Sequence, residues 1–188
     1  MLTALSAFLY RIASWKTLLL VIALYIVFPA YILKTLEARM NALAGQPIGP
    51  LDLLFGYDPV RVQQMVAAYG PAGRDVYALG ELTADVAYPL IYTFLLGLIL
   101  SLLFRNRSYS PFRLVNILPT GILLVDLAEN TCIVYLLKTY PNTSATVASL
   151  CSLLTNLKWG LFGVVISLIL YGLIRRLSTK EQPVVEGA

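Results

Sequence analysis

Apolar residues along this chain gather into long blocks instead of alternating with polar ones. Alternation marks strands, whereas apolar blocks of roughly twenty residues mark helices able to cross the about 30 Å hydrocarbon core of a bilayer. Four blocks meet that length, at 17–33, 86–104, 114–137 and 146–174. They predict an all-α polytopic membrane protein, a four-helix transmembrane bundle with short interfacial helices. The lack of period-two alternation argues against an outer-membrane barrel. The whole chain, 1–188, reads as a single membrane domain ending in a short tail, 175–188.

The stretch between the first two blocks predicts structure of its own, an outer helical segment over about 50–83. Gln46-Pro47-Ile48-Gly49-Pro50 is a turn-rich break. Asp58-Pro59 then reads as an N-cap followed by proline at the first helical position, and Gly70-Pro71 as the stop. Val60, Val62, Met65, Val66 and Tyr69 supply the apolar side of the enclosed helix, which either lies on the membrane surface or caps the bundle. Further on, Glu81, Asp85, Tyr88 and Tyr92 recur at helical spacing on one face. Met1 to Trp15 forms a second interfacial helix, with Trp15 as its anchor. Pro29, Pro89 and Pro119 are expected to kink their helices.

Composition sharpens the picture. Of 188 residues, 59% are hydrophobic and 13% charged, with a mean hydropathy of +0.77. Soluble domains carry roughly 25% charged residues, so a soluble reading fails. The net charge of +4 does not point to nucleic acid, because the basic residues flank apolar blocks in small groups. Arg105, Arg107 and Arg113 lie between blocks two and three, while Arg175, Arg176 and Lys180 follow block four. Arg11 and Lys16 precede block one. Positive charge in short loops is retained in the cytoplasm, which places both termini there. The stretch from Lys34 to Asp85, with six acids (Glu37, Asp52, Asp58, Asp75, Glu81, Asp85), then faces outward. The expected location is the plasma (inner) membrane. Ala42-Leu43-Ala44 resembles a signal-cleavage motif, but Lys34, Glu37 and Arg39 separate it from the apolar run, so block one is read as uncleaved.

The candidate chemistry sits inside the blocks. Asp126, Glu129 and Asn130 interrupt block three and Lys158 interrupts block four; ionisable groups at that depth are costly unless paired or wet. Blocks three and four form a hairpin about Pro141-Asn142, and Asp126 and Lys158 lie about sixteen residues from it on either side, at matched depth. A Lys158 pair with Asp126 or Glu129 is therefore expected. Asn116, Pro119, Asp126 and Asn130 share a face, and Asn156 stands on a small-residue side of block four with Ser149, Ser152, Gly160 and Gly163.

Other chemistry is excluded or weak. The chain has no histidine and two cysteines, Cys132 and Cys151, which rules out a histidine-based zinc site and a Ser-His-Asp triad. No metal and no cofactor are expected. The two thiols stand at matched depth, and packing as small apolar groups is favoured over a disulfide. Asn142-Thr143-Ser144 and Asn106-Arg107-Ser108 match glycosylation sequons.

Three readings of function remain. The first is a non-enzymatic membrane protein whose polar site, with Asp126, Glu129, Asn130, Lys158, Asn156, Asp85, Glu81, Tyr88 and Tyr92 as candidates, locks the bundle or binds a polar partner or ligand. The second is proton- or ion-coupled transport of a small solute. The third is a lipid-directed intramembrane enzyme using the carboxylates, tyrosines and Lys158 for acid–base work, although no residue is assigned a catalytic role. The partners expected are the bilayer and another membrane protein or a second copy.

Overall fold

The computed structural model describes residues 2–105 and 112–180, with side chains through Ser178. Arg107, the Asn106-Arg107-Ser108 sequon, the Lys180 side chain and the 181–188 tail lie outside the described residues. Among the described residues the fold is all-helical. Four helical runs are long and apolar enough to cross a membrane: Trp15–Ala44, Gly70–Phe104, Val115–Thr139 and Ala145–Ser178.

Helix α1, Leu2–Ile12, precedes the first run. It is pinned by polar contacts at its one buried serine. Ser6 Oγ donates to Asn116 Oδ1 at 2.7 Å, while Asn116 Nδ2 donates to the Ser6 carbonyl at 3.0 Å and to Ser101 Oγ at 2.9 Å. Arg105 closes the other end, donating to the Tyr10 and Ala13 carbonyls that the helix terminus leaves unsatisfied. Leu2, Leu5 and Phe8 remain exposed.

Ser14 caps α2, Trp15–Phe28, accepting from the Thr17 N–H at 3.2 Å. Proline at position 29 would interrupt an α-helical ladder, and here the chain widens into a π-helical turn, Pro29–Leu33, before resuming as α3, Lys34–Ala44. The first run is thus longer than the expected 17–33. It stops at Gly45, whose φ of +71° suits glycine at a helix end.

The segment between the first two runs, expected to be the outer one, folds back as a cap. Its α4, Pro59–Ala68, starts as expected, with Asp58 accepting from the Arg61 N–H at 2.7 Å. Val62, Met65 and Val66 are buried, but Val60 is 62% exposed, because two residues along a helix are about 200° apart and cannot both face the core. The helix stops where expected, α4 ending at Ala68, and Gly70, at φ +66°, turns the chain. Helix α5, Gly70–Leu82, begins there, and after a break at Thr83 helix α6 continues over Ala84–Phe104. Met40, Leu51, Tyr57, Val62, Val66, Tyr69 and Tyr77 form a core shared with Ile133, Leu136 and Cys151.

The third run starts with a 3₁₀ turn, Val115–Ile117, and Pro119 opens α7, Pro119–Thr139. Pro119 therefore begins a helix instead of kinking one, since its missing N–H falls among the first-turn donors that have no partner anyway. Helix α8, Ala145–Lys180, has 36 residues and at 1.5 Å per residue spans about 54 Å. The most extensive helix pairing in the molecule is α7 with α8.

Candidate functional site

Close packing of α7 on α8 brings one turn of acids against one lysine. Lys158 Nζ lies 2.9 Å from Asp126 Oδ1 and 2.6 Å from Glu129 Oε2, so a single ammonium bridges both carboxylates. Lys158 is 5% exposed and Glu129 fully buried. Each acid takes a hydroxyl on its other oxygen. Tyr92 OH, from α6, donates to Asp126 Oδ2 at 2.5 Å, and Thr155 Oγ1 donates to Glu129 Oε1. Thr155 Oγ1 also lies 3.0 Å from the Cys151 carbonyl, and Tyr57 OH from the outer segment meets Thr155 Oγ1 at 3.0 Å and Cys151 Sγ at 3.1 Å. In this inner cluster every charged group has an opposite charge beside it and each acid a hydroxyl donor as well, the condition under which buried charges are tolerated.

A second cluster lies toward the outer segment. Asp52 follows the turn-rich break, Glu81 ends α5 and Asp85 starts α6 just across the Thr83 break. These three acids each offer a carboxylate oxygen, and those oxygens lie within 4.8 Å of one another. Tyr77 OH orients Asp52, donating to its Oδ1 at 3.2 Å while accepting from the Leu51 N–H at 2.7 Å. Burial raises the Asp52 carboxyl above its ordinary range, opposed by the field of Lys158. Glu81 is 1% exposed, yet neither of its oxygens meets an N–H or O–H donor among the described residues. A buried acceptor left that way is costly.

The two clusters are joined through Asn130, whose Nδ2 donates to the Asp85 carbonyl at 2.7 Å. A cavity of about 130 Å³ reaches Asp52, Glu81 and Asp85, passing Glu37, Leu36, Met40, Val76 and Gly80. Four acids stand in its wall and no lysine or arginine does. Asp126 and Glu129 are not in that wall.

Of the residues singled out in the sequence, Asp126, Glu129, Lys158 and Tyr92 meet directly, and Asn130, Asp85 and Glu81 join them as described. Tyr88 stands apart. Its ring packs on Tyr25 and Phe28 of α2 and edge-on against Tyr92, with centroids 5.6, 5.9 and 5.7 Å away. Asn156 is exposed on the far side of α8 and joins neither cluster. Cys132 and Cys151 are free thiols. Asp52, Tyr57, Tyr77 and Thr155 complete the two clusters and are not legible from spacing. The only signal for Thr155 is its position one turn before Lys158 on the same side of α8.

Comparison of the chain with protein-family models, curated proteins and solved structures returns no match.

Proposed function

We propose that this chain is a non-enzymatic integral membrane protein that binds a cationic ligand from the outer side, in the acidic cavity, while the inner ion-paired cluster locks the bundle beneath it. Four apolar helical runs, with Leu19, Leu20, Leu24, Ile26 and Val27 of α2 all exposed, support insertion into lipid. The arginines at 105, 113, 175 and 176 support a topology with both termini and the 105–113 connection in the cytoplasm, in a plasma (inner) membrane. The observation that carries the ligand reading is the cavity wall, with four acids, no basic residue, and a buried Glu81 lacking any donor. Charged groups with surrounding hydroxyl and ammonium partners hold structure; an acidic pocket without a cation recruits one.

Paired substitutions test this division. In cells dependent on the protein, Glu81→Gln should abolish function while folded yield in detergent is kept, and a cysteine at Asn142 should label from the outside, one at Ser178 from the inside. Full function of Glu81→Gln, or labelling of both cysteines from one side, contradicts the proposal.

Proton-coupled transport is the second reading, favoured by one feature. Tyr57, Thr155, Glu129, Lys158, Asp126 and Tyr92 form an unbroken series of polar contacts from the cap to α6. Liposomes containing the protein would acidify under an imposed gradient on that reading, and Thr155→Val would stop it.

A further inference from the structure

The acidic cavity has a more specific chemistry than attraction of positive charge. We infer that Asp52, Glu81 and Asp85 form a site for a hard divalent metal cation of the calcium, magnesium or manganese class. This deepens the proposed ligand-binding role of the cavity and rests on it.

Three features carry the assignment. The donor set is all oxygen, and oxygen-only sites take hard divalent cations, while zinc and copper sites draw on imidazole or thiolate. The expectation of no metal came from the missing histidines and the cysteine count, neither of which bears on a carboxylate site. The second feature is spacing. Divalent ions of this class hold oxygens at about 2.0–2.6 Å, so ligands on opposite sides of one ion are up to about 5 Å apart. Carboxylate oxygens already within 4.8 Å of one another can therefore close on a shared ion through side-chain movement alone. The third feature is Glu81. It is 1% exposed, stands in the cavity wall, and has two oxygens without an N–H or O–H donor, an arrangement that a cation would satisfy.

The surroundings fit a metal site with partial hydration. Tyr77, tied to the Leu51 N–H, holds Asp52 in place in the manner of an outer-shell partner. The break at Thr83 sets Glu81 and Asp85 on separate helices, and irregular backbone at this depth is tolerated where it lines a cavity. Three carboxylates leave room for waters on the ion.

The test uses the full chain in phosphatidylcholine nanodiscs, stripped with chelator and titrated with Mn²⁺ under electron paramagnetic resonance. One Mn²⁺ per chain is expected, displaced by excess Ca²⁺. Affinity should fall about tenfold or more in Glu81→Gln and in Asp52→Asn and stay within error in Glu129→Gln, a comparison scaled by what loss of even an outer partner does to a metal site. Circular dichroism identifies which variants fold, and either outer variant suffices. No Mn²⁺ bound by the native chain, or undiminished binding in a folded outer variant, overturns the metal assignment. Tetramethylammonium separates this from the broader reading. If it raises the unfolding midpoint of the native chain but not of Glu81→Gln while Mn²⁺ does nothing, the metal is wrong and the cation-binding cavity stands. If neither cation acts, both fall.

Discussion

The inner and outer acid clusters use the same functional group and differ in what faces it, and of their five acids only Asp52 and Asp85, both outer, are half-buried instead of buried. Asp126 and Glu129 share an ammonium at 2.9 and 2.6 Å, and each has a hydroxyl. Asp52, Glu81 and Asp85 face one another, with a tyrosine on one and no lysine or arginine in their cavity wall. Electrostatics makes these opposite devices. Removing a partner from the first exposes uncompensated charge, whereas neutralising a member of the second relieves repulsion.

That contrast breaks most visibly at Lys158. Lys158→Met should destabilise the protein by roughly 3–5 kcal/mol, the usual cost of orphaning a buried ion pair. Adding Asp126→Asn or Glu129→Gln should recover part of it in detergent unfolding titrations, and failure of both double variants to recover means the bridge contributes nothing. A smaller loss is expected from Thr155→Val or Tyr92→Phe, about 1.5–3 kcal/mol each, because each removes a hydrogen bond to a charged group. Tyr57→Phe deletes a hydroxyl that touches neutral partners and should cost about 0.5–1.5 kcal/mol in the same titration. The smallest effect belongs to the outer cluster and has the opposite sign. In chelator, Glu81→Gln should be neutral or slightly stabilising, and a loss comparable to that of Lys158→Met would show that Glu81 is structurally paired after all.

The inner cluster was legible because a helical hairpin converts sequence distance from its turn directly into depth. Asp126 and Lys158, about sixteen residues either side of Pro141-Asn142, had to lie level. Rotation about the helix axis was less legible. Asn156 and Lys158 are two residues apart, about 200° around α8, so only one can face α7, and the acids there select the lysine. Val60 and Val62 repeat the same ambiguity in α4. Asp52 was hidden for a different reason. It sits in a turn-rich stretch where an aspartate reads as solvated, and its place is set by burial of Leu51 and the distant Tyr77 hydroxyl, contacts 25 and 26 residues away that no local pattern encodes. Pro119, expected to kink a helix and found starting one, shows that a proline inside an apolar block marks either a kink or a boundary, and its position alone does not distinguish the two.

The division between lock and site is tested most directly by hydrogen exchange on the full chain in nanodiscs, with chelator and then with saturating Ca²⁺. Added Ca²⁺ should slow exchange in the cap and its junction, from Leu51 to Asp85, and leave the facing turns of α7 and α8 around Glu129 and Lys158 unchanged, because only the outer cluster gains a partner. Unchanged exchange in the cap, or equal slowing in both regions, would contradict the division.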